Sequence, residues 1–415
     1  MRRTALRSIA AVSAVLAFAA AIEGARRPRY GGELRIETQA SFSSVEQAPE
    51  QIAGEVFETL VRLDERGEPQ PWLAVSWSHD VARKRWVFTP RANVALHNGA
   101  MWSPEGGMIA VADDKPIEII LRDLSQQRSA IVVRTPDGAR VGTGPFRVMH
   151  FEGGKSASLA AHESYWRGRP YLDAIEIAKG RALRDQAQDL EIGKADVVEI
   201  PVTDVRRLKQ RGTNVATTQP METLALRFEG ERAGAALREA VALAIDRGAI
   251  QNVLLQRQGE VSAALLPRWL SGYSFVFPSE RNVARAKQLA SGAPVLAFSY
   301  DSQDAVVRAI AERIAVNASE AGITLRPSIG AQADVRLLRL AVTSRDPWAA
   351  LSDVAAALKL QMSTAAPGSY EAEASLLEGY RVVPIVHVPR AWALGPRVRD
   401  WGRLQDVWLD AERKP

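Results

Sequence analysis

Cysteine is absent from all 415 residues. No disulfide can brace the fold, no thiol can serve as a nucleophile, and no lipid can be attached through a cysteine near the N-terminus. Histidine is scarce, and His79, His97, His150, His162 and His387 never stand in pairs at ligand spacing within one element, so the spacing builds no metal site. His162-Glu163 opens like a zinc-protease helix, but Trp166 occupies the place of the second ligand. Gly153-Gly154-Lys155-Ser156 ends like a phosphate-binding loop with Met149 where its opening glycine belongs. Gly142-Thr143-Gly144 has Arg147 in place of the third glycine of a dinucleotide fingerprint. A Gly-x-Ser-x-Gly elbow is also missing. Paired acids such as Asp113-Asp114 read as solvated surface. The residues therefore nominate no catalytic group, no metal and no cofactor.

A net charge of +5 and a pI near 9.5 suggest nucleic acid at first sight. The basic residues are interleaved with acids, as in Arg181-Ala182-Leu183-Arg184-Asp185, and no basic stripe with spaced aromatics is present, which excludes a phosphate-tracking face. With 47% hydrophobic composition, the chain has material for more than one core, and without disulfides its stability rests on buried apolar area.

The N-terminus reads as a cleaved export signal over residues 1–21. Arg2, Arg3 and Arg7 precede an apolar run over residues 9–21 that ends in Ala19-Ala20-Ala21. The run is shorter than the roughly 20 residues needed to cross a bilayer core. Ala5 departs from a twin-arginine signal and favours ordinary secretion. A freely soluble protein held in the periplasm is expected.

Short strands dominate from Gly31 to Pro136, with Trp72, Trp77, Trp86 and Phe88 bounded by turn formers such as Asn98-Gly99. Ile117-Glu118-Ile119-Ile120-Leu121 and Ala130-Ile131-Val132-Val133 are expected as strands, with Asp137-Gly138 as a tight turn. Strands alternate with helices from Thr143 to Leu265. Apolar residues at three-to-four spacing predict one helix over residues 236–255. Val295-Leu296-Ala297-Phe298-Ser299-Tyr300, a helix capped by Asp301, and a stop at Gly322 predict a β-α-β unit and a parallel sheet. The Ala-rich residues 349–366 read as helix followed by loop.

Several strings fall in a telling order: Gly31-Gly32-Glu33-Leu34-Arg35-Ile36, Glu55-Val56-Phe57-Glu58-Thr59-Leu60, Pro71-Trp72-Leu73-Ala74, Gly142-Thr143-Gly144-Pro145, Tyr165-Trp166-Arg167-Gly168-Arg169-Pro170-Tyr171-Leu172-Asp173 and Ala244-Ile245-Asp246-Arg247. Together they resemble the family-5 extracellular solute-binding proteins, the peptide receptors of ATP-driven importers, over most of the chain after the signal. The resemblance implies an α/β, two-lobed periplasmic binding protein of type II, with mixed sheets and a hinge of crossing strands. It places the first lobe at residues 30–266 plus 381–415, including an accessory subdomain at about 45–141, and the second lobe at 267–380. Residues 100–141 are shorter than the family's corresponding segment.

The implied function is that of a monomeric receptor taking a peptide or peptide-like small solute to an inner-membrane ABC permease. The implied ligand groove is bordered by Ser41, Phe42, Leu340, Thr343, Arg345, Asp346, Trp348, Tyr370 and Trp392. For Trp348, Tyr370 and Trp392 the sequence leaves groove and core equally open. Many peptide-binding relatives place an aspartate where anchoring on Pro347 puts Thr343, which offers a ligand ammonium no charge. Asp346 replaces it only in a rebuilt loop, while Arg345 favours an anionic group. Two alternatives remain: a degenerate member acting as a sensor or partner-binding protein, and an exported hydrolase, against which the missing nucleophile and metal patterns speak.

Overall fold

The computed structural model describes residues 27–64, 68–328, 332–362 and 368–410. The expected signal and most of the turn at residues 64–67 lie outside the described residues, as do the end of the Ala-rich stretch and the last five residues.

Among the described residues, one mixed 11-stranded sheet runs through the whole molecule. Its order is Leu325–Pro327, Leu296–Ser299, Val335–Ala341, Asn214–Phe228, Val382–Leu394, Val197–Ile200, Glu33–Glu37, Ala174–Ala178, Ser156–Ala161 and Phe146–Glu152, with Glu260–Val261 added beside Val382–Leu394. Asn214–Phe228 and Val382–Leu394 are the long members and belong to both lobes. Val382–Leu394 is buried at every position but Arg390, so its apolar run faces protein on both sides, as a central strand requires.

The two long strands pair regularly from Asn214↔Leu394 to Thr217↔Ala391, and again from Glu222↔Val388 to Leu224↔Val386, with a further register shift before Ala225↔Pro384. Between these stretches Pro220 stands opposite Pro389, and the register shifts on both sides of Pro220. Neither proline can donate to the ladder. The neighbours take over part of the missing pairing: Arg390 N donates to Thr218 Oγ1 at 3.0 Å, and Trp269 Nε1 donates to Pro220 O at 2.7 Å. The ladder between the two long strands is thus interrupted at the point where one lobe passes into the other.

In the second lobe, Leu296–Ser299 and Leu325–Pro327 are parallel and joined by helix Ala305–Glu320, the expected β-α-β unit. Asp304 caps the helix, accepting from Val306 N and Val307 N. Asp301 instead accepts from Gln303 N in the turn before it. The single helix expected over 236–255 is divided. Ala235–Ala244 ends at Ile245, and a new turn starts at Arg247, where Asp246 accepts from Ala249 N and its own N–H donates to Asn317 Oδ1. Leu237, Val241 and Ile250 share a core with Phe298, Ile310 and Ile314. The same core takes in Val198, Ile200, Val202 and Val205, so the helical segment packs with elements of both lobes.

A small accessory unit has its own core of Leu60, Val61, Leu73, Phe88, Val94, Leu96, Ile120 and Leu121. Its antiparallel strands are Ala74–Asp80, Arg85–Pro90 and Ile109–Ala112. Val45, Ile52, Val56 and Phe57 belong to the first lobe's core instead. The string at 117–121, expected as a strand, is the start of helix Ile117–Ser125. Ile117, Ile120, Leu121 and Leu124 recur at helical spacing and turn one face to the core. Of the strand expected over 130–133 only Val133 is in one: Val133–Arg134 and Arg140–Val141 form a hairpin, and Gly138 takes a φ of 84° in its turn.

Candidate functional site

Four of the six strings that suggested the family meet at one carboxylate. Glu58 is 1% exposed. Its Oε1 accepts from Trp72 Nε1 at 2.7 Å and Tyr165 OH at 2.8 Å, and its Oε2 accepts from Thr143 Oγ1 at 2.8 Å and Trp166 Nε1 at 3.0 Å. Three separate segments are tied to one side chain, which keeps a buried carboxylate fully hydrogen-bonded. The glycines of Gly142-Thr143-Gly144 have a steric cause. A Cβ on Gly142 would lie 2.1 Å from Val56 O, and one on Gly144 would lie 2.4 Å from Glu55 O. His97 and His162, far apart in sequence, meet here with rings 5.1 Å apart, and both bond Gly144 O. Burial pushes His97 down to about 4 and His162 below its usual value, so both brace the turn as neutral rings. Sequence reasoning found these strings without seeing that Glu58 joins them.

Arg247 of the Asp-Arg string is equally structural. It is 3% exposed and donates to Ser262 O, Ala242 O and Pro384 O, and burial lowers it to about 10. One side chain thereby fixes the loop at 262 and the crossing strand at 384.

The strand directions point to a candidate cleft between the lobes. Ile200 pairs with Ala391, and the crossing strand continues from there into the second lobe, beyond the carboxyl end of Val197–Ile200. Glu33–Glu37 and Ala174–Ala178 run parallel to that strand. The loops at 38–42 and 179–181 therefore face the second lobe. From the other side, Ala341 pairs with Glu222, which returns loop 342–346 toward the crossing point. Ligands of open α/β sheets bind at such carboxyl ends.

The cleft's charges are largely paired. Glu222 accepts from Arg390 Nε at 3.0 Å and Arg339 Nη1 at 2.7 Å, and Arg339 also reaches Asp304 at 2.8 Å. Glu199 accepts from Thr38 Oγ1 and Gln39 N. Burial, then the neighbouring Asp189, raises Glu37. Lys179 is 4% exposed, with its ammonium 3.7 Å from the centre of the Phe151 ring and 4.5 Å from that of Phe42, and desolvation lowers it.

The expected groove residues separate into two groups. Phe42 and Trp392 lie in the first lobe's core, where Trp392 packs on Trp401, and Leu340 lies in a second-lobe core. Ser41, Thr343, Arg345, Trp348 and Tyr370 are exposed. Thr343 Oγ1 donates to Asp353 Oδ2 at 2.5 Å, and Tyr370 stands edge-on to Tyr273. Asp346 is 5% exposed and caps helix Pro347–Ala357, accepting from Ala349 N at 2.8 Å.

His387 bonds Thr223 Oγ1 at 2.8 Å and Ser262 Oγ at 2.7 Å. A serine beside a histidine suggests a nucleophile and its base. However, Ser262 is 0% and His387 1% exposed, and burial drops the imidazole to about 3. This is a sealed polar cluster within the crossing strands, closed to substrate. Among the described residues no group of three or more His, Asp or Glu side chains is arranged to hold a metal, and no helix is long and apolar enough to cross a membrane.

Residues 116–359 match the family model of bacterial extracellular solute-binding proteins, family 5 (middle). The chain is 29% identical over 155 residues to the uncharacterized protein YhjP of Bacillus subtilis, covering 30% of this chain and 27% of that one. It is 29% identical over 153 residues to heme-binding protein A of Haemophilus influenzae, covering 34% and 26%, and 23% identical over 286 residues to the nickel-binding periplasmic protein of Escherichia coli, covering 56% and 55%. The chain thus spans about a quarter to about half of the length of these curated relatives. Among solved structures, the oligopeptide-binding protein AppA of Bacillus subtilis with a nonapeptide has a TM-score of 0.74 at 15% identity, covering 93% of this chain and 100% of that one. NikA of Staphylococcus aureus with Ni(L-His)2 has a TM-score of 0.74 at 15% identity, covering 92% and 99%. At such identities the likeness shows the fold, a two-lobed binding protein of type II.

Proposed function

The chain belongs to the family-5 bacterial extracellular solute-binding proteins, and from that premise we propose that it is the solute receptor of an ATP-driven importer. It captures a peptide or peptide-like small solute between its lobes and presents it to an inner-membrane permease. Contacts from both lobes exist only in the closed form, so solute binding energy shifts the balance toward closure. The observation that carries this reading is the facing pair Pro220 and Pro389 in the crossing strands, which removes ladder bonds where such a protein has to bend. The names of relatives that bind peptides, heme or nickel support a small solute and leave its chemistry open.

The lobe boundary belongs at this proline pair, which assigns the helices at 235–254 to the second lobe. Ser41, Thr343, Arg345 and Trp348 are the side chains we assign to the groove. Action in the periplasm after removal of the signal, as a monomer without a lipid anchor, completes the proposal.

Native mass spectrometry of the freshly purified protein tests it. A small-molecule adduct is expected, lost on unfolding and refolding, and the released compound should raise the melting temperature when returned. Absence of any adduct, together with no thermal shift across a library of short peptides, would overturn the reading.

A further inference from the structure

The second-lobe loop at 342–346 is held by the chain's own side chains. The accessory unit reaches across to it through helix Ile117–Ser125 and the residue that follows. Arg122 Nε lies 3.3 Å from Asp346 Oδ2, and Ser344 Oγ donates to Gln126 Oε1 at 2.6 Å. Both contacts join residues more than two hundred positions apart. Each side is firmly mounted. The Gln126 amide is oriented by its own bond to Arg122 O, Gln127 Nε2 donates to Phe57 O at 3.2 Å, and Ile131 N donates to Glu58 O at 2.7 Å. These bonds tie the reaching segment to the first lobe and its Glu58 junction. On the far side Asp346 is fixed by its cap bond, and its N–H donates to Ser344 Oγ.

We propose that Arg122 and Gln126 form a latch between the accessory unit and the second lobe, holding the lobes together at the cleft mouth with no solute bound. The inference rests on the two-lobed receptor reading and adds that closure does not wait for a ligand. Two features make the latch releasable. Arg122 keeps 48% of its side-chain surface exposed whereas Asp346 keeps 6%, so the cation regains most of its hydration on leaving. Asp346 Oδ2 is buried and receives no hydrogen bond, so the guanidinium covers that oxygen without satisfying it, and the pair is held by charge more than by directional bonding. A solute that enters has to work against the latch. Its apparent affinity is reduced by the fraction of chains in which the lobes are apart and able to admit it.

Because the chain has no cysteine, spin labels at Glu118→Cys and Ala356→Cys, both exposed positions on the helices that meet, read the separation directly. Without solute, the otherwise unaltered protein should give one narrow distance. Arg122→Ala and Asp346→Asn should each add a longer population, the double variant should add no more than either alone, and Arg122→Lys should restore part of the narrow peak. Asn retains the helix cap, so Asp346→Asn separates latch from folding, and circular dichroism checks that each variant is folded. A longer population of similar weight already present without the substitutions, or a narrow peak unchanged in both single variants, would overturn the latch. Since no ligand takes part, that result is independent of whether native mass spectrometry finds a solute.

Discussion

Glu58 and Asp346 are both buried carboxylates, one where the accessory unit joins the first lobe and one at the mouth of the cleft. Glu58 receives four hydrogen bonds from three segments. Asp346 spends one oxygen on a helix cap and leaves the other with only a half-exposed guanidinium nearby. A fully satisfied buried charge makes a rigid joint, because every departure breaks several charge-assisted bonds together. A partly satisfied one can exchange partners at small cost. The difference separates the part of the molecule built to stay from the part built to move.

The largest test of this contrast is Glu58→Leu, which strands the hydroxyl and indole donors of Thr143, Tyr165, Trp72 and Trp166. A loss of about 5 kcal/mol in urea unfolding is expected, and a loss below about 1 kcal/mol would remove the contrast. Gly144→Ala should follow at about 3 kcal/mol, because a backbone carbonyl 2.4 Å from the new methyl has to move. A thermal melt unchanged from the parent protein would contradict the close approach.

The pH dependence sharpens the comparison within the second lobe. Glu373 is fully buried, accepts from Tyr273 OH and Leu266 N, and burial raises it to about 7. A carboxyl raised in the folded state contributes stability that is complete below its unfolded value of about 4.3 and lost as pH climbs to about 7. The loss is on the order of 3 kcal/mol. Glu55, raised to about 7 by burial, acts in the same direction. His97 and His387, depressed to about 4 and about 3, act in the opposite sense: their stability is whole above about 6.5 and lost as pH falls toward those values. Stability should therefore peak on the acidic side of neutrality. Glu373→Gln should flatten the decline between about pH 5 and about pH 8, and an unaltered slope in denaturant midpoint against pH would refute the assignment. The smallest effect belongs to Asp346→Asn, which retains the cap and should cost under about 1 kcal/mol of stability, checked by the same urea titration.

Much of the scaffold was legible because local rules wrote it. The β-α-β unit announced itself by its helical period and the stop at Gly322. The strings around Trp72, Thr143 and Trp166 were readable as a set, although what unites them was not, since Glu58 acquires its partners only through long-range folding. Residues 117–121 read as a strand because a short apolar run carries little period, and packing of helix Ile117–Ser125 against Leu60 and Leu73 decides for helix. The split at Asp246 depends on Asn317, a residue on another helix, and no local window contains it.

The groove residues show the limit most clearly. Trp348, Tyr370 and Trp392 were indistinguishable as aromatics in a chain, and only the sheet order sent Trp392 into a core while leaving the other two exposed. Sequence alone determined the strongly periodic elements such as the β-α-β unit, that no cysteine chemistry is available, and which short strings travel together, because these follow from period, composition and local sterics. Tertiary structure alone decided which buried charges are satisfied, where two prolines face each other, and that Arg122 meets Asp346, because those facts depend on distances between residues that the chain brings together only when folded.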